Sequence, residues 1–112
     1  MILLALILSA GSANSVQLQS FFVEYRTCLK REAVQLDDRR SDVNTIFDAA
    51  RSECAYLRTA MLGQIFESVR SEQPKWPTSR ALRVADSAAD QIDQRVRPEI
   101  LKEILISRRH RN

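Results

Sequence analysis

The chain has 112 residues, enough for one small domain. Its 17 basic and 14 acidic residues leave a net charge of +3, mild for a nucleic-acid binder. Two Gly, three Pro and the lack of sustained period-two alternation argue against β architecture and Gly-rich phosphate loops; the pattern is that of an all-α protein.

The first element is the apolar run Ile2 to Leu8, followed by small residues. It is too short for a bilayer, which needs about 20 apolar residues, but it suits a secretory signal peptide. Gly11-Ser12-Ala13 offers small residues at a cleavage site, with Ala10-Gly11-Ser12 as the neighbouring alternative. The sequence therefore predicts a signal peptide over 1–13 and one helical domain over 14–112, periplasmic or secreted. No basic side chain precedes the run, a departure from the usual signal pattern. Nothing after Ala13 is apolar enough to span a membrane.

A helical hairpin is expected over 16–71. Its first helix carries the stripe Leu18, Phe21, Phe22, Tyr25, Cys28, Leu29, Ala33 and Leu36 in steps of three and four. Its second, from about Asp42, carries Val43, Ile46, Phe47, Ala50, Cys54, Leu57, Met61, Ile65 and Val69. Between them lies LDDRRSD, Leu36 to Asp42, as a charged turn. Ser41 is expected to cap the second helix, and Asp37 or Asp38 to take the left-handed turn conformation.

Facing residues of an antiparallel hairpin have a nearly constant sum of positions. Taking Cys28 and Cys54 as facing centres the turn on Ser41, inside LDDRRSD. The same register pairs Tyr25 with Leu57, Phe21 with Met61 and Leu36 with Ile46, all apolar. A Cys28–Cys54 disulfide is therefore expected, in keeping with an even cysteine count in a short exported chain.

A linker follows over 72–79, EQPKWPTS, with Trp76 expected to plug the open end of the core beside Leu18. C-terminal helices are predicted over 80–109. Leu82, Ala85, Ala89, Ile92 and Val96, flanked by Ala81 and Ala88, form the stripe of the first, which Thr78 or Ser79 caps. Pro98 lacks the helical N–H, and Ile100, Leu101, Ile104 and Leu105 centre about 120° from that stripe. A kink or break is expected there, with Pro98 opening a short last helix.

The sequence holds little that points to catalysis. His110, the sole histidine, lies near the end of the chain. Cysteines locked in a disulfide are not nucleophiles. No Cys/His cluster has zinc spacing. Asp37, Asp38 and Asp42 enclose Arg39 and Arg40 and lack the Gly of a calcium loop, so they read as a solvated turn. Glu24, Glu32, Asp48 and Glu53 read as solvated or Arg-paired carboxylates. No metal, cofactor or catalytic residue is assigned. Residues 75–112 carry 9 basic and 5 acidic residues, against 8 and 9 in 14–74. Arg108, Arg109 and Arg111 on the amphipathic last helix are thus the candidate contacts for an anionic partner, whether a protein or an envelope surface.

The run from Cys28 through LDDRRSD to Ile46–Ala50 and Cys54 resembles small exported two-cysteine helical proteins of Gram-negative, especially alphaproteobacterial, bacteria. The resemblance covers about residues 25–55 and fades in the C-terminal third. It implies export and the hairpin, and no catalytic residue. A more distant likeness is to helical, disulfide-bearing lysozyme inhibitors, which usually carry more cysteines. The expected function is that of a non-enzymatic exported binding module of the cell envelope. An inhibitor or accessory subunit of an envelope enzyme is the first alternative, and a small envelope hydrolase the second.

Overall fold

A computed structural model describes residues 13–111, and the expected signal peptide lies almost wholly outside them. The described residues form four helices and no strand: α1 (Ala13–Leu36), α2 (Val43–Glu53), α3 (Ala55–Glu72) and α4 (Thr78–Arg111). Helices α1 and α2–α3 make the antiparallel hairpin. The Cys28–Cys54 disulfide ties them with 6.0 Å between Cα atoms.

The turn is built by its carboxylates. Asp37 Oδ1 accepts the Arg39 N–H at 2.9 Å. Asp38 Oδ1 accepts those of Arg40 at 2.9 Å and Ser41 at 2.7 Å, while its Oδ2 takes the Ser41 hydroxyl at 2.7 Å. These bonds, those from Ser41 foremost, hold the Asp38 carboxyl down to about 2. The left-handed residue is Arg39, at φ 63, rather than either aspartate. The acids serve the turn better as side-chain acceptors than as its twisted backbone. The cap also shifts by one residue from the expected Ser41. Asp42 precedes α2 and accepts the Asn44 N–H at 3.1 Å, because the Ser41 hydroxyl is already spent on Asp38.

One core runs through the molecule. Leu18, Tyr25, Leu29 and Ala33 of α1 are buried with Ile46, Phe47 and Ala50 of α2 and Met61, Ile65 and Val69 of α3. Trp76 packs half-buried against this core from the Gln73–Pro77 connection, and Arg80 stacks over its ring at 4.1 Å from the centroid. Leu36 departs from its expected core position and is 38% exposed. It is the last residue of α1, where the second helix no longer covers that face.

Helix α4 covers the hairpin with Ala81, Ala85, Ala88, Ala89, Ile92, Val96, Ile100 and Ile104. The alanines permit close helix approach. Tyr25–Asp93, Arg26–Glu99 and Asp37–Arg108 contacts join residues 68, 73 and 71 apart, so α4 runs parallel to α1. Leu82 falls off the buried stripe and is 44% exposed, Ala81 taking the inward position.

Pro98 does not end this helix, so the expected break and separate short last helix do not occur: α4 is one helix of 34 residues with Pro98 inside it. Pro98 and Gln94 both lie on the exposed side. Solvent can therefore satisfy the Gln94 carbonyl that loses its N–H partner. The apparent rotation of the apolar face has another origin. Ile92, Val96, Ile100 and Ile104 step by four residues, and each step advances about 40° around a helix of 3.6 residues per turn. Three steps give the whole rotation gradually, so a single face winds along the hairpin. The interruption instead lies at Cys54, between α2 and α3, where one helix was expected.

Candidate functional site

Two polar assemblies stand out. The first sits at the turn end. Arg108 lays its guanidinium on Asp37, with Nε at 3.0 and 2.9 Å from the two carboxylate oxygens and Nη2 at 2.7 Å from Oδ1. Nη2 also donates to the Ser41 carbonyl at 2.7 Å. The Asp37 side chain is 1% exposed, so this acid is not the solvated turn residue expected of it. The Arg108 hydrogen bond holds its carboxyl below the ordinary range, against the opposing effect of burial.

This fork brings two basic segments to one end of a rod of 55 × 26 × 22 Å. Arg39 and Arg40 lie exposed in the turn, while Arg109 and His110 lie exposed on the last turns of α4. Of the three candidate anion contacts, Arg108 is thus engaged within the fold and Arg109 is exposed. The side chain of Arg111 lies outside the described residues. Residues 36–42 and 105–112 together hold five Arg and three Asp, a positive side-chain excess of two. Leu105, half-exposed, lies on the same end of α4.

The second assembly lies in the middle of the bundle and is centred on Asp93. Its Oδ1 accepts the Tyr25 hydroxyl at 2.6 Å. Its Oδ2 meets Arg58 Nε at 2.9 Å and Arg51 Nη2 at 3.0 Å. Arg58 also reaches Asp90 at 2.8 Å. Burial, and then the Asp93 carboxylate, push the Tyr25 phenol well above its ordinary value. The arrangement pairs one carboxylate with two guanidinium groups. Asp90 joins it through Arg58, so each carboxylate is held by a guanidinium group and the arrangement offers fixed charge and rigidity. Glu99 forms a smaller satellite, at 2.7 Å from Lys30 and 2.6 Å from Arg26, and these partners, Lys30 foremost, lower its carboxyl.

The carboxylates singled out as alternatives do not converge on a site. Glu32 lies 3.6 Å from Arg31 and Asp48 lies 3.6 Å from Arg97, while Glu24 and Glu53 are exposed. Among the described residues no group of three or more His, Cys, Asp or Glu is placed to hold a metal ion, and no helix is long and apolar enough to cross a membrane.

A groove of about 440 Å³ runs between α1 and α3 over the disulfide, lined by Val23, Glu24, Thr27, Cys28, Arg31, Tyr56 and Leu57. Val23 is 56% and Tyr56 65% exposed.

Reasoning from sequence missed both assemblies. Asp93 follows Ile92 and carries no mark that turns it inward; the two signals available were Arg51 and Arg58, seven apart on what the sequence reads as one helix face and the structure divides between α2 and α3. Asp37 lies in a run of charges where nothing separates it from Asp38. The chain matches no protein-family model, no curated protein and no solved structure.

Proposed function

We propose that this chain is an exported, non-enzymatic interaction module whose basic end docks on an anionic surface of the cell envelope. The observation that supports the reading is the Arg108–Asp37 fork, which gathers Arg39–Arg40 and Arg109–His110 at one end of the rod. Two segments separate in sequence thereby meet at one end, with a positive side-chain excess over residues 36–42 and 105–112. Export is supported by the apolar start followed by Gly11-Ser12-Ala13 and accords with the disulfide.

Screening gives the test. Attachment by charge weakens with salt, as the screening length falls from about 10 Å at 0.1 M to about 3 Å at 1 M. Cosedimentation with anionic vesicles should be strong at low salt, weak at high salt and absent with neutral vesicles. The double variant Arg40→Gln/Arg109→Gln should lose it while the Arg108 fork stays intact. Equal sedimentation of variant and parent would refute the reading.

A further inference from the structure

We propose that the Cys28–Cys54 disulfide is a removable lock on the break between α2 and α3, opened by a dithiol that enters the groove over Cys28. On opening, α2 and α3 join into one helix over 43–72. This inference rests on the clamp alone and does not depend on the basic end.

The break has no local cause in sequence. Residues 51–58, RSECAYLR, hold neither Gly nor Pro, and the apolar spacing runs on through Ala50, Cys54, Leu57 and Met61. Sharp helix kinks ordinarily follow Pro, Gly/Ser pairs or an inserted group. Here the single residue outside the helices is Cys54, at φ −98 and ψ 13. Its N–H still bonds to the Ala50 carbonyl at 3.0 Å. Its carbonyl then receives the Arg58 N–H at 3.2 Å, as in an ordinary helix, but also that of Leu57 at 3.1 Å. An unbroken helix would send Leu57 to Glu53 instead. The departure is thus local to the residue that is covalently held to α1.

The groove gives the lock a keyhole. Cys28 lines it and Cys54 does not, although both residues are buried overall. Of the two cysteines Cys28 is the one the groove approaches, so the route assigns the attack of the incoming thiolate to its Sγ, with Arg31 and Glu24 both on the groove wall. The leaving sulfur is then that of Cys54, which sits between the C-terminus of α2 and the N-terminus of α3, where the two helix dipoles oppose each other. The attacking thiolate forms a mixed disulfide with Cys28 as the Cys28–Cys54 bond breaks, and Cys54 takes up a proton. The second thiol of the dithiol then displaces Cys28, which is protonated in turn. The dithiol leaves as a disulfide, having supplied two electrons and two protons.

Two measurements on the folded protein decide it. Backbone NMR of the oxidised and dithiothreitol-reduced forms should show the interruption at Cys54 only in the oxidised form, with continuous helical shifts over 43–72 and slower Leu57 amide exchange after reduction. Persistence of the break in the reduced form, or in a Cys28→Ala/Cys54→Ala variant, overturns the lock. So does loss of the helical spectrum on reduction, since the bond would then hold the whole fold. In the second measurement, brief exposure to glutathione followed by acid quench and peptide mapping should place the first adduct on Cys28. Adducts mainly on Cys54, or reduction only in denaturant, defeat the assigned route.

Discussion

Tyr25 on α1 donates its hydroxyl to Asp93 on α4 at 2.6 Å, while Arg58 from α3 holds the other oxygen of the same carboxylate at 2.9 Å. With Arg51 of α2 at 3.0 Å, every helix contributes to one buried point. This helps fix the register of α4, together with the Arg26–Glu99 and Asp37–Arg108 contacts. Asp93→Ala should leave the Arg51 guanidinium and the Tyr25 phenol without this acceptor, and Arg58 with Asp90 alone. Breaking a fully buried pair costs about 3–5 kcal/mol; partial solvation of Arg51 brings the expected loss nearer about 2 kcal/mol. Asp93→Asn keeps the shape and one acceptor, and should cost less. Urea midpoints at pH 7 give the order, and an alanine variant as stable as the parent would remove the anchoring role.

The same network predicts an alkaline limit. The folded Tyr25 phenol titrates above its unfolded value of about 10. A raised folded value means that its contribution is complete below the unfolded value and is lost as pH rises from there toward the folded one. Stability should therefore fall above about pH 10. Tyr25→Phe should be less stable at pH 8 because it strips a donor from a buried carboxylate, at about 1–3 kcal/mol. It should also fall less steeply above pH 10, so that the two curves converge. Parallel curves would show that Tyr25 is not the group responsible.

Acid should act at the other assembly. Asp37 has a depressed folded value through Arg108, so its contribution is present above the unfolded carboxylate value and is lost as pH falls through the folded one. Asp37→Asn should lower the melting temperature at pH 7 and flatten its decline below about pH 4. Arg108→Gln should do much the same, and the double variant should add little to either, because both remove one fork. Full additivity in that cycle would mean that the two residues act apart.

The sequence made legible whatever rests on apolar periodicity. The α1 and α2–α3 stripes and the cysteine register follow from spacing alone, because the core selects positions by burial, and the Trp76 connection follows from its two prolines and polar neighbours. What periodicity did not reveal was polar and long-range. Asp37 and Asp38 are chemically equal neighbours, and only the placement of Arg108, 71 residues away, separates a buried acid from an exposed one. The helix break at Cys54 was equally hidden, since residues 51–58 hold neither Gly nor Pro to mark it. Leu36 and Leu82 show the converse: an apolar residue on the right period is exposed where the neighbouring helix ends or where an alanine fits better.

Pro98 offers a last test, because a proline inside a continuous helix is normally costly. A helix interior disfavours Pro relative to Ala by about 3 kcal/mol, mostly through the missing N–H and the clash with the carbonyl four residues before. Pro98 is exposed and Gln94 faces solvent, so no packing stands to be lost on its removal. Ile100 and Ile104 beyond it stay buried on the face that Ile92 and Val96 begin. Pro98→Ala should then raise the urea midpoint, with a gain of up to about 3 kcal/mol reduced by the solvation that already satisfies the Gln94 carbonyl. The Arg108–Asp37 fork should persist, leaving the acid limb of the stability curve unchanged. If alanine instead lowers stability, the proline must set a bend that α4 needs to keep Ile100 and Ile104 on the hairpin, and the uniform winding of its buried face would be the wrong account of how the two ends of the helix share one core.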